Sequence, residues 1–543
     1  MTSTERKEGP PMIGFIASTL AVLTGAAAFA ASSPADRTAV FELHGSLGSL
    51  DPALGYDTGS WQIEYATCVK LVNYPDRRAK TGEHLVPEAA LSMPSVSRDG
   101  RTYTFVVSPG KYRFSPPSNE QVTAQSFVRA FERTLSPGVD SPALRYTHDI
   151  EGADAYHSGE ASSISGVTAN GPVLTIRLTG PVPDLLARLA MPFFCAVPSD
   201  AAAPGPGTVL PSAGPYYVES FDPAGTTVLA RNPNYTGRRP HFFDRIEIHT
   251  NVPAADVEAD VIAGRADYAL DGVSTEDWAT IAAAYGPGSP AAQAGHQQMF
   301  VNPSLGLRYL VLNSSRPLFA NADMRRAVNY AIDRTRLSSD YGALGLQPTD
   351  QLIPPGMPGF SDADIYPLGA ANVGHAAALA AHYTPATAEL YTCLSVGCQA
   401  AASDVQAELA AIGVTVNVHS FARDEEIARE TTPGEPYDIA IEGWVADYDD
   451  PHAILDELIG GGSPNDFGHF DDPFWNARLD AAELLSGPVR LQAYADIDVG
   501  VMQTAAPLAP FGSINARDFF SQRIGCQTDV PSFGISIAAL CLR

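Results

Sequence analysis

RDGRTYTFVVSPGKYRFSPPSNEQVTAQSFVRAFERTL, residues 98–135, carries the densest local signal in the chain. It opens on a polar Arg98-Asp99-Gly100 turn and runs on as an alternating strand with Tyr103, Phe105 and Val107 on one face. Pro109-Gly110 marks a second turn. An amphipathic helix then opens near Thr123, with Phe127, Ala130 and Phe131 at helical spacing. The unit is a hairpin feeding a helix. Outward from it, strands are expected at 39–43, 164–168, 173–178 and 243–250, and helices at 61–72, 183–190 and 254–263. A short strand at 267–270 completes a βαβ rhythm, the mark of a mixed sheet flanked by helices. Further on, strands are expected at 309–313, 414–418 and 437–444, with helices at 323–333, 404–412, 479–485 and 489–504.

At 543 residues the chain exceeds one hydrophobic core, since cores stop growing near roughly 250–300 residues. Two or three lobes are expected. With 45% hydrophobic and 17% charged residues the chain is globular rather than disordered. A formal charge of −27 argues against a nucleic-acid partner, which requires a basic face. Arg6 and Lys7 precede an uncharged run from Gly9 to Ala35, ending in the small-x-small step Ala28-Phe29-Ala30. Residues 1–30 read as an export signal, which places the mature protein in the periplasm or outside the cell. A retained membrane anchor is the alternative reading, because the run approaches the ~20 residues that span a bilayer.

Cys68, Cys195, Cys393, Cys398, Cys526 and Cys541 all follow the signal. An even count in an exported chain points to disulfides, and six cysteines allow 15 pairings. Proximity favours Cys393–Cys398 and Cys526–Cys541, leaving Cys68–Cys195; free buried thiols are the alternative. Cys393 and Cys398 lack the second pair of ligands that a zinc site needs. No metal or cofactor is expected.

Several separated motifs resemble family 5 extracellular solute-binding proteins, the peptide-binding subunits of ABC importers. Phe114-Ser115, Val122-Thr123-Ala124 and Phe127 to Arg133 match its signature, with Pro116-Pro117-Ser118-Asn119 inserted where the family has Asp-Gly. Leu50-Asp51-Pro52, Gly214-Pro215-Tyr216, Arg231-Asn232-Pro233-Asn234-Tyr235 and the run Met324 to Arg334 follow in the family's order. The resemblance spans about residue 39 to residue 543. It implies an α/β, two-lobed periplasmic-binding-protein-like clamp with mixed sheets and an extra N-terminal subdomain. Lobe I is expected from 36–60, 190–273 and 507–543, with 61–189 inserted as the subdomain, and lobe II from 274–506. The crossings near 270–274 and 504–507 would form the hinge.

Gly443-Trp444-Val445-Ala446-Asp447-Tyr448-Asp449-Asp450-Pro451 follows an expected strand, and ligands of α/β sheets gather at strand C-termini. By the same resemblance Asp447 pairs with a peptide's α-ammonium while Trp444 and Val445 line the pocket. A carboxylate facing an ammonium in a dry cleft supplies both orientation and affinity. Asp449 and Asp450 read as a solvated acidic loop or as caps of the next helix. Tyr146, in Ser141-Pro142-Ala143-Leu144-Arg145-Tyr146, resembles a ligand-contacting tyrosine of oligopeptide binders. Asp271 and Gly272 stand where the family places backbone-binding residues beside the hinge. No counterpart is found for a residue capturing a peptide's C-terminal carboxylate.

Ser108-Pro109-Gly110-Lys111 and Lys80-Thr81-Gly82 match fragments of penicillin-recognising enzymes, but in reversed order and without Ser-Asp-Asn between them. No nucleophile elbow, zinc-protease motif or P-loop occurs. The expectation is an exported, non-enzymatic, monomeric binding protein that closes on a peptide or related amine-bearing solute and hands it to the permease subunits of an ABC importer. Alternatives within the family are a nickel chelate, an oligosaccharide or an opine as ligand, or a role as sensor or accessory protein. An exported hydrolase is the alternative from another class.

Overall fold

The computed structural model describes residues 37–77 and 84–543. The expected export signal and Lys80-Thr81-Gly82 lie outside the described residues. In the 98–135 segment the strand Thr102–Val106 buries Tyr103 and Phe105 and leaves its other face open. It pairs with Ser95–Val96 across the polar turn and, on its other edge, with Val173–Arg177, setting Phe105 opposite Leu174 and Tyr103 opposite Ile176. Val167–Asn170 completes an antiparallel sheet of four strands. The helix Ala124–Thr134 starts where Ser126 Oγ accepts from the Thr123 N–H at 3.1 Å, and it buries Phe127, Ala130 and Phe131. Its Arg133 forks onto Asp51 at 2.5 and 2.6 Å, with both side chains buried. Two motifs far apart in sequence are thereby locked together.

Among the described residues the largest sheet has eleven strands: β1 (Thr38–Glu42), β2 (Tyr216–Ser220), β3 (Thr226–Arg231), β4 (Arg245–His249), β5 (Tyr268–Ala269), β6 (Met299–Leu312), β7 (Leu346–Gln347), β8 (Ala386–Cys393), β9 (Val414–Phe421), β10 (Ile439–Val445) and β11 (Leu508–Phe520). Their order is β9-β8-β10-β6-β11-β5-β1-β4-β3-β2, with β7 off this path against β11. Parallel pairs (β8 with β9 and β10, β1 with β4 and β5) alternate with antiparallel ones, giving the mixed sheet.

Two clusters of apolar side chains lie at opposite ends of this sheet. One gathers Phe41, Ile63, Leu229, Ile246, Ile248 and Phe520. The other gathers Leu310, Leu312, Val328, Leu390, Val405 and Ile441 beneath the helices Ala322–Ala331 and Val396–Ala410. A separate core at each end is the physical content of a two-lobed α/β fold.

β6 and β11 join the ends. β6 pairs with β10 along Gly306–Leu312 and with β11 along Met299–Pro303 and Leu307–Val311, its register shifting between Pro303 and Leu307 and again between Arg308 and Tyr309. Only 309–313 is expected as strand from sequence, so the first half of β6, which contains Pro303, has no counterpart among the expected strands. Proline lacks the ladder N–H, but a bulge does not need it. β11 has no counterpart among the expected strands. The helix Trp278–Tyr285 buries Trp278 and Ile281 with Val257 and Val261 of the helix Ala254–Ala263.

Disulfides join Cys68 to Cys195, Cys393 to Cys398 and Cys526 to Cys541. The last closes a C-terminal loop in which Asp529–Val530 pairs with Gly534–Ile535. Gly534, at φ 75°, lies so near the helix Thr58–Thr67 that a Cβ would fall 2.7 Å from Gln62 Nε2. Only glycine suits both the backbone and the approach. No helix among the described residues is long and apolar enough to cross a membrane.

Candidate functional site

Asp447 lies just past the end of β10, in the loop leading to the helix His452–Ile459. The loop is pinned on both sides of it. Ala446 N–H donates to Leu305 O at 2.9 Å, and Trp444 Nε1 donates to Ala453 O at 2.9 Å. The Asp447 side chain is 8% exposed and accepts from two phenols of the N-terminal part of the chain. Tyr56 donates to Oδ1 at 2.7 Å, and Tyr146 donates to Oδ2. Arg145 stacks over both rings and donates to Tyr56 Oη at 2.9 Å. Burial raises the Asp447 carboxyl, while the two phenol hydrogen bonds oppose the rise. Burial, and then the neighbouring Asp447 charge, keep both phenols protonated as donors.

Asp447 borders a cavity of ≈ 440 Å³. The helix Thr58–Thr67 and the residues before it supply Tyr56, Trp61 and Gln62; the end of β10 supplies Trp444 and Val445. From β11, every second residue faces inward: Ile514, Ala516 and Asp518. The C-terminal disulfide loop closes the remaining side with Asp529 and Pro531 to Gly534; its Phe533 stacks on Tyr65 with centroids 4.8 Å apart. Four of the lining side chains are carboxylates (Asp57, Asp447, Asp518 and Asp529), and none is Lys, Arg or His. A cavity of this composition favours a cation.

The four carboxylates differ in their partners. Asp57 caps its helix, accepting from Ser60 N–H at 2.9 Å and Ser60 Oγ at 2.6 Å. Asp518 accepts from Tyr268 Oη at 2.6 Å through Oδ1, and burial still pushes its carboxyl up to about 6. Burial, reinforced by Asp518, pushes Asp529 up to about 8.

Of the residues expected at the site, Asp447, Trp444 and Val445 line the cavity, and Tyr146 reaches it through its bond to Asp447. Asp271 accepts the N–H groups of His44 and Gly45 at 3.2 and 3.0 Å, and Gly272 turns at φ 85° against Trp278; neither lines the cavity. Asp450 is not a solvated charge. It caps the next helix through the His452 N–H at 3.0 Å and pairs with Arg490 at 2.9 Å in a buried contact. Tyr56, Gln62, Asp518, Asp529 and Phe533 were not foreseen, because no motif surrounds them and the chain brings them together only on folding.

Away from the cavity, Glu426, Glu430 and Glu442 are fully buried with oxygens within 4.8 Å of one another. A cation is already present there, since Arg423 forks onto Glu442 at 2.5 and 2.6 Å and reaches Glu426 at 3.0 Å. Burial, then Glu442, pushes Glu430 up to about 10, so it stays protonated.

The family model for "Bacterial extracellular solute-binding proteins, family 5 Middle" matches residues 84–466. The chain is 24% identical over 433 residues to the probable D,D-dipeptide-binding periplasmic protein DdpA of Escherichia coli K12, covering 75% of this chain and 74% of that protein. Its fold superposes on clavulanic acid biosynthesis oligopeptide binding protein 2 with a TM-score of 0.82 at 23% identity, covering 93% and 96% of the two chains. On the unliganded open form of the periplasmic murein tripeptide binding protein MppA the TM-score is 0.75 at 21% identity, covering 94% and 98%. With most of its length matched by that model, this chain belongs to the bacterial extracellular solute-binding proteins of family 5.

Proposed function

We infer that the protein captures a short peptide, or a related amine-bearing solute, in the cavity bordered by Asp447 and delivers it to an ABC importer. The observation that carries this reading is the buried Asp447 carboxylate on the wall of a cavity that holds no basic side chain. The peptide-binding names of the similar proteins support it. An α-ammonium at Asp447 would gain a charge-assisted hydrogen bond where water does not compete. The same carboxylate receives Tyr56 and Tyr146 from the N-terminal part of the chain, so a solute held there would touch both halves and favour the closed state. We place the hinge in β6 and β11 at the register break between Pro303 and Leu307. In this assignment 274–300 stays with the first lobe, because Trp278 and Ile281 pack there. No step of this cycle is covalent, and the protein acts as a monomer.

Calorimetric titration with a peptide and its N-acetylated form tests the reading. Truncating one partner of a buried charge pair costs about 2–5 kcal/mol, or roughly 30- to 5,000-fold in affinity. N-acetylation weakens wild-type binding by that factor, Asp447→Asn weakens binding of the free peptide similarly, and acetylation then costs the variant little more. The recovered peptide is intact by mass spectrometry. Equal affinity of the wild type for both forms overturns the role of Asp447, and cleaved peptide overturns capture without chemistry.

A further inference from the structure

The cavity has a second acidic region that Asp447 does not explain. Asp518, Asp529 and Gln62 are 6%, 7% and 4% exposed, and Asp518 Oδ2, Asp529 Oδ2 and Gln62 Oε1 have no hydrogen-bonding partner. All three residues line the cavity. An unpaired buried acceptor costs about 1–3 kcal/mol, more when charged, so three around one cavity await a donor. Among the described residues no cationic side chain lines the cavity. Arg517, beside Asp518 on β11, points to the other face, where it stacks over Trp278 at 4.6 Å and donates to Ala343 O. Arg523 is committed to Asp267 at 2.7 Å.

This region lies apart from Asp447. A Cβ on Gly306 would fall 2.9 Å from Val445 Cγ2 and 3.0 Å from Ile514 Cδ1, so the Ile514 end of β11 adjoins the loop that carries Asp447. Asp518 is four residues further along the strand, about 13 Å at the usual rise. Each residue of an extended peptide advances roughly 3.5 Å, so two residues and a lysine or arginine stem cover most of that span.

We propose that Asp518, Asp529 and Gln62 form a second cation-binding subsite, and that the captured solute carries two positive groups: a free α-ammonium at Asp447 and a basic side chain of lysine or arginine type at Asp518 and Asp529. The proposal rests on the reading of Asp447 given above and narrows its solute class to basic peptides. Three acceptor oxygens match the three hydrogens of an ammonium or one edge of a guanidinium. A neutral side chain of the same length would leave all three unpaired.

The test compares Ala-Lys and Ala-Ala-Lys with the same peptides carrying norleucine in place of lysine, by calorimetric titration of wild type, Asp518→Asn, Asp529→Asn and Asp447→Asn. The lysine peptides bind the wild type about 30-fold or more tightly than their norleucine counterparts. Each of Asp518→Asn and Asp529→Asn collapses that ratio, and a cooperative melting transition of each unliganded variant shows it folded. Asp447→Asn weakens both kinds of peptide and preserves the ratio, so the two subsites fail separately. Equal affinity of the wild type for lysine and norleucine peptides, or a ratio that survives in both variants, overturns the proposal. Should no peptide bind, 1,5-diaminopentane is the probe. Binding lost in Asp529→Asn retains the subsite and removes the peptide reading; no binding overturns both. Calcium or magnesium binding alone, lost in the same variants, overturns the organic cation in favour of a metal ion.

Discussion

Asp518 and Asp529 make the cavity sensitive to pH. In the unfolded chain both ionise in the ordinary carboxylate range; in the fold Asp518 keeps its proton up to about 6 and Asp529 up to about 8. The folded state therefore binds more protons across that window, and unliganded stability falls as pH rises through it. The groups facing the pair are each other, the Tyr268 hydroxyl and Gln62. Asp529→Asn removes a buried charge and raises the melting temperature of the unliganded protein at pH 8, by about 1–3 kcal/mol in stability. A basic peptide displaces these protons, so its affinity rises between pH 6 and pH 8 and its binding heat depends on the buffer's ionisation enthalpy. A lower melting temperature for Asp529→Asn would show that the ionised carboxylate supports the fold instead. Asp450, by contrast, already has its cation in Arg490 and carries no such sensitivity to ligand.

At the scale of elements, the C-terminal disulfide loop is a wall of the site as well as a staple. Cys526 and Cys541 are 15 residues apart, and closing a loop of that length is worth about 3 kcal/mol on the chain-entropy account. The Cys526→Ser, Cys541→Ser double variant loses about that much in denaturant titration and also weakens solute binding, since Asp529 and Phe533 belong to the freed loop. Unchanged affinity would show that the strand pair Asp529–Val530 with Gly534–Ile535 holds the wall unaided. The 98–135 segment is held differently, by Arg133 on Asp51. Asp51→Asn leaves a buried guanidinium without its counter-charge and costs about 3–5 kcal/mol, read from the denaturant midpoint. A much smaller loss would mean that the guanidinium finds other acceptors nearby.

Over the whole molecule, β6 and β11 reach both cores, so the proposed bending at their register break would move one end of the sheet against the other. Saturating solute is expected to shrink the radius of gyration in small-angle scattering and to add about 2.7 kcal/mol of stability at a hundredfold excess over Kd. A net charge of −27 draws a cationic solute in, so the association rate falls with added salt, as screening beyond about 10 Å at 0.1 M requires. A radius unchanged by solute would rule out closure, and a salt-independent rate would rule out steering.

Much of this architecture is legible in the sequence, because the signals involved are local. Residues 98–135 alternate and then repeat at helical spacing, and each period marks the face that becomes buried at Phe105 or Phe127. The stretch from Gly443 to Pro451 is legible for a similar reason: a strand, a break and a helix start in succession place Asp447 in the loop after β10. What the sequence does not disclose are features that depend on distant partners. The first half of β6 and the whole of β11 carry no marked strand signal in the sequence, and they form as a long antiparallel pair with each other. Asp450 reads as solvated until Arg490 packs on it. Gln62, Asp518 and Asp529 sit in segments with no shared pattern, and their unpaired oxygens exist only because a helix, a strand and a disulfide-closed loop exclude water together. Periodicity and turn chemistry thus determined many of the local segments and the faces they bury, though not β11 or the first half of β6. The content of the cavity was decided by tertiary packing, because burial is a property of the assembled walls and not of any one stretch of chain.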